Sequence, residues 1–253
     1  MSGGSGKLRL DRLLVERGWG PRKQAQRLIK LGFVSLEGEA PIRSPEHKVP
    51  QDAVLLVDGA VCAPLPALIA FHKPLHMLST KRDPWGRAGL DFALPERLRE
   101  GLQPVGRLDA ETTGLLLFSS DGALTQRLLH PRRAVERTYI AAVNALPSGL
   151  KERLSEGVET SLGTFQAELL HAHEELSASL TRTLEELGLR AQACAEVCVR
   201  VREGKHRMVR RLLHNAGASV LALHRVSFAG LELGALEEGA WRTVELGELT
   251  DLS

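Results

Sequence analysis

The stretch Gly106-Arg107-Leu108-Asp109-Ala110-Glu111-Thr112-Thr113-Gly114-Leu115-Leu116-Leu117-Phe118-Ser119-Ser120-Asp121-Gly122 places one carboxylate in a glycine-bounded loop just before an apolar run. Glycine supplies backbone conformations that other residues reach only at a cost, so Asp109 stands at a bend where the chain is constrained. The apolar run over residues 115–118 predicts a buried strand. A loop held by a rigid strand is a frequent carrier of chemistry.

Working outward, short strand patterns recur at residues 70–74, 138–143, 164–170, 195–201 and 220–223, with helical patterns at 123–129, 150–155 and 208–216. Strands outnumber helices and lie close in sequence. This predicts an α+β domain with a mainly antiparallel sheet over residues 69–253. Residues 174–191 read as a helix outside that pattern. Upstream, Leu10, Leu13 and Leu14 fall at helical spacing near a candidate cap at Asp11, and Gly18 stops the run. A second helix starts near Pro21 and carries Ala25, Leu28 and Ile29 as its apolar stripe before Gly32. Residues 33–36 and 54–57 then read as strands, with a turn at Glu37-Gly38-Glu39. The result is a small αβ domain at 7–60, a linker at 61–68 marked by Pro64 and Pro66, and the larger domain from 69.

A chain of 253 residues with 43% apolar side chains can bury a true core. No run approaches the roughly 20 apolar residues that span a bilayer, and the start Met1-Ser2-Gly3-Gly4-Ser5-Gly6 lacks a signal-type apolar region. The expectation is a cytoplasmic protein without a membrane partner. The net charge of +2 conceals two basic segments. The first holds Lys7, Arg9, Arg12, Arg17, Arg22, Lys23, Arg27 and Lys30 against Asp11 and Glu16; the second holds Arg200, Arg202, Lys205, Arg207, Arg210, Arg211 and Arg225 against Glu203. Such clustering is the footprint of a protein that meets a phosphate backbone. Cys62, Cys194 and Cys198 are odd in number and widely split, which argues against disulfides. A structural zinc site wants four spaced ligands, so Cys194 and Cys198 read as small buried residues and no metal is expected.

Residues 7 to about 60 resemble the RNA-binding domain of the S-four-like type. The resemblance rests on Arg9-Leu10-Asp11-Arg12-Leu13-Leu14, on the Arg22-Lys23 helix start, and on Gly32-Phe33-Val34 leading to Glu37-Gly38. It implies that Arg9, Arg12, Arg22, Lys23, Arg27 and Lys30 contact RNA. Four further pieces, in order, resemble the RsuA-like family of RNA pseudouridine synthases. They are Gly106-Arg107-Leu108-Asp109 with Thr113-Gly114-Leu115-Leu116-Leu117 and Asp121-Gly122; His130-Pro131 with Glu136-Arg137-Thr138-Tyr139; Glu203-Gly204-Lys205-His206-Arg207-Met208-Val209-Arg210-Arg211; and Val220-Leu221-Ala222-Leu223-His224-Arg225. Arg137 stands where the family usually has lysine, and Met208 where a polar residue is usual.

The resemblance makes Asp109 the catalytic aspartate, Tyr139 and Arg210 its catalytic partners, and Arg107, Leu223, Arg207 and Lys205 substrate-binding residues. Chemistry supports these roles. Isomerising uridine breaks an N-glycosidic bond and makes a carbon–carbon bond to the same sugar, with no redox change, so neither metal nor organic cofactor is implied. A carboxylate serves there as nucleophile or charge stabiliser. Arg107 or Arg210 can hold it ionised, and the family favours the position of Arg210. An aromatic ring stacks on the base while its hydroxyl reaches a proton at carbon. The target nucleotide has to flip into a pocket.

Taken singly, Asp109 also reads as a turn former, Tyr139 as a strand aromatic, Arg210 as a solvated helix face and Leu223 as core. Their ordered joint occurrence favours the enzyme. The expected substrate is ribosomal RNA or an assembling ribosomal particle, leaning to the small subunit with the large subunit open, and the expected state is a monomer. The competing readings are a non-catalytic RNA-binding or ribosome-assembly factor, which gains nothing from a carboxylate beside phosphate, and a hydrolytic N-glycosidase, which wants a second carboxylate such as Glu111.

Overall fold

In the computed structural model, which describes residues 6–80 and 89–250, the chain divides into two compact units. The opening residues Met1 to Ser5, read above for a leader, and the tail 251–253 of the expected larger domain lie outside the described residues. The first unit comprises the chain up to Ala67 together with Leu94–Gln103, and the second comprises Leu68–Ala93 and everything from Pro104. The insertion of Leu94–Gln103 into the first unit has no periodic signature in sequence.

The first unit contains β1 (Lys7–Arg9), α1 (Leu10–Glu16), α2 (Arg22–Leu31), β2 (Val34–Leu36), β3 (Lys48–Pro50), β4 (Leu55–Val57), β5 (Ala60–Val61) and α3 (Glu96–Gly101). Strands β1 and β3 pair antiparallel, and β2, β4 and β5 form a small sheet in that order. Leu10, Leu13, Leu14, Ala25 and Ile29, the apolar stripes of the two helices, pack on Val34, Val49, Leu55, Val57 and Cys62.

Asp11 does not cap α1, because Leu10 already begins the helix. Its fully buried carboxylate instead accepts hydrogen bonds from Arg9 and Arg22, each at 3.0 Å, and from Gln26 at 2.9 Å, tying α1 to α2. The Arg9 hydrogen bond, with help from Gln26 and Arg22, holds this carboxyl far below the usual carboxylate range. Arg17, counted above with the basic segment, is buried and donates to the carbonyls of Cys62, Gln51 and Ala53. Arg97 of α3 reaches the carbonyls of Arg17 and Ala63, which seats the inserted helix.

The second unit contains β6 (Leu68–Lys73), β7 (Gln103–Val105, from its Pro104), β8 (Thr112–Ser119), α4 (Gly122–Leu129), β9 (Arg137–Val143), α5 (Leu150–Glu156), β10 (Val158–Thr160), β11 (Gly163–Phe165), β12 (Glu168–His173), α6 (Ala178–Glu186), β13 (Ala195–Val201), α7 (Met208–Asn215), β14 (Val220–Phe228), β15 (Leu231–Glu232) and β16 (Trp241–Thr243). Its main sheet runs β12-β13-β9-β14-β8-β6-β16, antiparallel at each step except β14 beside β8. The mainly antiparallel sheet expected from sequence is therefore present. The pattern at 164–170 divides between β11, which pairs with β10, and β12, which pairs with β13. Strand β14 runs five residues past Leu223, to Phe228.

One face of the sheet buries Leu115 and Leu117 with Leu124 and Leu128 of α4. Asp121 caps that helix by accepting from the backbone N–H groups of Ala123 and Leu124. The helix expected outside the pattern, α6, covers the sheet, burying Leu180 and Leu184 against Ile140, Ala142, Cys198 and Ala222. Cys198 is buried as expected and Cys62 is buried too, whereas Cys194, also expected to be buried, is exposed in the segment leading into β13.

Gly114 decides the register at the parallel pair. It lies opposite Arg225 with φ at +102°, and a Cβ there would stand 2.3 Å from the carbonyl oxygen of Arg225. Only glycine lets β8 and β14 approach this closely.

Candidate active site

Three adjacent strands carry the site. The parallel pairing sets Leu223 beside Thr112, so the start of β8 and the loop before it lie next to the middle of β14. On the other side of β14, Arg225 pairs with Tyr139 and Leu223 with Ala141 of β9. A cleft of about 660 Å³ opens here, lined by the loop from Gly106 to Glu111, by Arg137 and Tyr139, by Arg202 to Arg210, and by Leu223, Arg225 and Phe228.

All seven residues named from sequence for catalysis and substrate binding line this cleft: Asp109, Tyr139, Arg210, Arg107, Leu223, Arg207 and Lys205. Asp109 is half-buried. Tyr139 and Leu223 are buried but for an edge, at 8% and 4% exposure, as expected of walls that admit a flat ring. Arg210 donates to the carbonyls of Glu111 at 2.9 Å and Val220 at 3.3 Å, so α7 is fastened both to the Asp109 loop and to the start of β14. Burial lowers the guanidinium pKa of Arg210, against the opposing pull of Glu111 and Asp109. Arg207 pairs with Glu111 at 3.2 Å. That engagement leaves the only other carboxylate of the Asp109 loop committed to a salt bridge at the surface. Lys205 stands 4.6 Å from the ring centroid of Phe165 and pairs with Glu203.

The six residues named for RNA contact belong to the first unit and none lines the cleft. Arg9 and Arg22 are held by Asp11, and Arg12 is paired with Glu16 at 2.8 Å. Lys23, Arg27 and Lys30 are exposed along α2.

Two contributors were given no role by the sequence reading. Lys73, fully buried at the end of β6, donates to the carbonyls of Pro74, Met77 and Ala110, so it clamps the peptide following Asp109. Burial lowers its pKa to about 8, with Asp109 and Glu238 opposing. The available signal was a single lysine closing the apolar run 68–71, where a charge has to have a purpose. The second is Arg225, which the short strand pattern at 220–223 left out.

The polar inventory of the cleft is also unbalanced. Among the described residues four buried side-chain polar atoms have no hydrogen-bond partner, and three of them, Thr112 Oγ1, Arg210 Nε and Arg225 Nη2, belong to residues lining this cleft. Buried polar atoms are nearly always satisfied, so such a concentration marks a place built for a polar ligand or for charge that develops during reaction. His224, between Leu223 and Arg225, is absent from the lining: its Nδ1 bonds Thr113 Oγ1 at 2.7 Å and its ring meets His72 edge-on at 5.3 Å. Burial, aided by His72, pushes its pKa down to about 4. No group of side chains arranged to hold a metal ion occurs among the described residues, and no helix among them is long and apolar enough to cross a membrane.

Residues 67–215 match the RNA pseudouridylate synthase family. An uncharacterized RNA pseudouridine synthase of Mycobacterium leprae is 34% identical over 257 aligned positions, covering 100% of this chain and 94% of that one. The ribosomal large subunit pseudouridine synthase B of Vibrio cholerae is 32% identical, covering 96% of this chain and 74% of its own. Among solved structures, a pseudouridylate synthase crystal structure superposes with a TM-score of 0.60 at 23% identity, covering 97% of this chain and all of the other, which is a likeness of fold.

Proposed function

Because the chain belongs to the RNA pseudouridylate synthase family, and is therefore an isomerase, we propose that it converts a uridine of ribosomal RNA to pseudouridine with Asp109 as the catalytic carboxylate. The observation that carries the assignment of residues is the convergence of Asp109, Tyr139, Arg210 and Leu223, four positions far apart in sequence, on one cleft. The sequence leans toward small-subunit RNA with the large subunit open, and a relative that matches over 96% of this chain bears a large-subunit name, so large-subunit RNA is the substrate proposed.

In this reading the flipped uracil enters between Leu223 and Tyr139, with the half-buried carboxylate of Asp109 facing the sugar. Asp109 acts as nucleophile or stabilises positive charge on the sugar as the bond to the base breaks. The Tyr139 hydroxyl takes the proton from the carbon that has just bonded to the sugar. Arg210 and Lys73 hold the Asp109 loop by its backbone, from Glu111 and Ala110, and such fixed geometry is worth orders of magnitude in rate. Glu111, engaged by Arg207, is poorly placed to activate water, which weighs against glycosidic hydrolysis. The first unit, of the S-four-like type by resemblance, presents Lys23, Arg27 and Lys30 to RNA.

The test is release of tritium from uridine C5 in transcribed large- and small-subunit rRNA. Wild type releases tritium; Asp109→Asn binds the RNA and releases none. Activity retained in Asp109→Asn would remove Asp109 from the chemistry, and no release by wild type from either RNA would remove ribosomal RNA as the substrate.

A further inference from the structure

Arg225 is a buried charge of the cleft that this mechanism leaves unused. Its side chain is 3% exposed. Nε donates to the carbonyl of Leu115 at 2.7 Å, whereas Nη2 has no hydrogen-bond partner among the described residues and exposes almost no surface. The guanidinium carbon lies 5.0 Å from the ring centroid of Phe228 and 6.0 Å from that of Tyr139. Arg137 approaches the same Phe228 ring at 4.8 Å and spends its own donors on the carbonyls of Val135 and Leu128. Among the described residues the ion pairs of the cleft involve other side chains, Arg207 with Glu111, Arg202 with Glu136 and Lys205 with Glu203. A buried cation without a carboxylate partner is costly, and in a low-dielectric wall its field reaches farther than in water. Because Nη2 is sealed from solvent, a phosphate does not reach it in this state.

We propose that the buried cation of Arg225 stabilises negative charge on the base after it separates from the sugar, a role that rests on the uridine isomerisation proposed above. The bond between C1′ and N1 breaks with its electron pair passing to the uracil, which turns and bonds to C1′ through C5. The proton lost from C5 is balanced by the one gained at N1, so no oxidant or co-reactant is needed. Between those events the base carries the extra electron pair, and Arg225 faces it from behind Tyr139 and Phe228.

A leaving-group experiment separates this role from a structural one. Transcribed large- and small-subunit rRNA is made with uridine or with 5-fluorouridine, whose fluorine itself stabilises the base anion. Consumption of the parent nucleoside under single-turnover conditions is followed by mass spectrometry of the digested RNA. Arg225→Met is expected to slow uridine about 100-fold, in the range of losing one preorganised electrostatic group, and 5-fluorouridine by about 10-fold or less. Arg225→Lys, which keeps the charge, stays closer to wild type on both. Should Arg225→Met not fold, Arg225→Gln carries the same comparison, since it keeps an N–H for the Leu115 carbonyl and lacks the charge. An equal loss on the two nucleosides, or a neutral variant as fast as wild type, overturns the role of Arg225. Wild type that consumes neither nucleoside overturns the isomerisation on which it rests.

Discussion

Replacing Gly114 by alanine tests whether the parallel contact between β8 and β14 builds the cleft. The added Cβ would stand 2.3 Å from the Arg225 carbonyl oxygen and 2.7 Å from its nitrogen, both backbone atoms that cannot rotate away. The φ of +102° adds strain, because an L side chain seldom adopts it. Over-packing a well-packed core costs about 1–3 kcal/mol, and left-handed backbone adds about 1–2 kcal/mol, so Gly114→Ala is expected to destabilise the second unit by about 2–5 kcal/mol. At about 2–4 °C per kcal/mol for a domain of this size, its melting transition falls by roughly 5–15 °C. The strands separate in the remaining folded molecules, moving the Asp109 loop away from Leu223 and Arg225. A displacement of that kind near the reacting atoms costs about 100-fold in rate. Calorimetry reads the first quantity, and tritium release well below the lowered melting temperature reads the second. A melting shift under about 2 °C with an unchanged rate would refute the argument that this approach positions the site.

Two further predictions follow from charge. His224 is held neutral with its pKa lowered from 6.5 to about 4, so the unfolded chain binds the extra proton between those values; the stability present above pH 6.5 is lost as pH falls toward 4, by up to roughly 3 kcal/mol. His224→Gln keeps an acceptor for Thr113 without titrating, and the stability gap between wild type and variant, from denaturant unfolding at pH 7 and pH 4.5, is expected to narrow accordingly; a gap independent of pH would contradict the burial of His224 as the neutral form. Replacing Lys23, Arg27 and Lys30 together by Gln is expected to weaken RNA binding and to lower the slope of log affinity against log salt by up to about 2–3. Filter binding at several salt concentrations measures this, and an unchanged slope would take α2 out of the RNA interface.

Much of the fold was legible because its signals are local. The apolar stripes of α1 and α2, the run that became β8 and the alternation of β13 are short-range patterns set by side-chain burial on one face. Asp121-Gly122, read within the central motif, proved to be a helix cap, a local device as well. The failures were non-local. Leu94–Gln103 joins the first unit through contacts with residues about 80 and 30 positions away, Arg17 and Ala63, and nothing in its own composition announces them. The end of β14 was missed because His224 and Arg225 break the apolar pattern that defines a strand.

The same division holds for the site. Sequence alone nominated the residues proposed for the chemistry, since Asp109, Tyr139, Arg210 and Leu223 are singled out by motif order and by what uridine isomerisation demands. Tertiary structure alone decided how they are held: the close approach permitted by Gly114, the carbonyl clamps of Arg210 and Lys73, and the buried cation of Arg225. It also decided that Arg17, equal to its neighbours as a letter, is buried on backbone carbonyls, that Arg9, Arg12 and Arg22 are ion-paired although Arg12 and Arg22 stay exposed, and that Lys23, Arg27 and Lys30 are exposed along α2. A charge in a sequence carries its sign, but its effect depends on desolvation and on the groups within a few ångströms, and those are set only when distant segments pack.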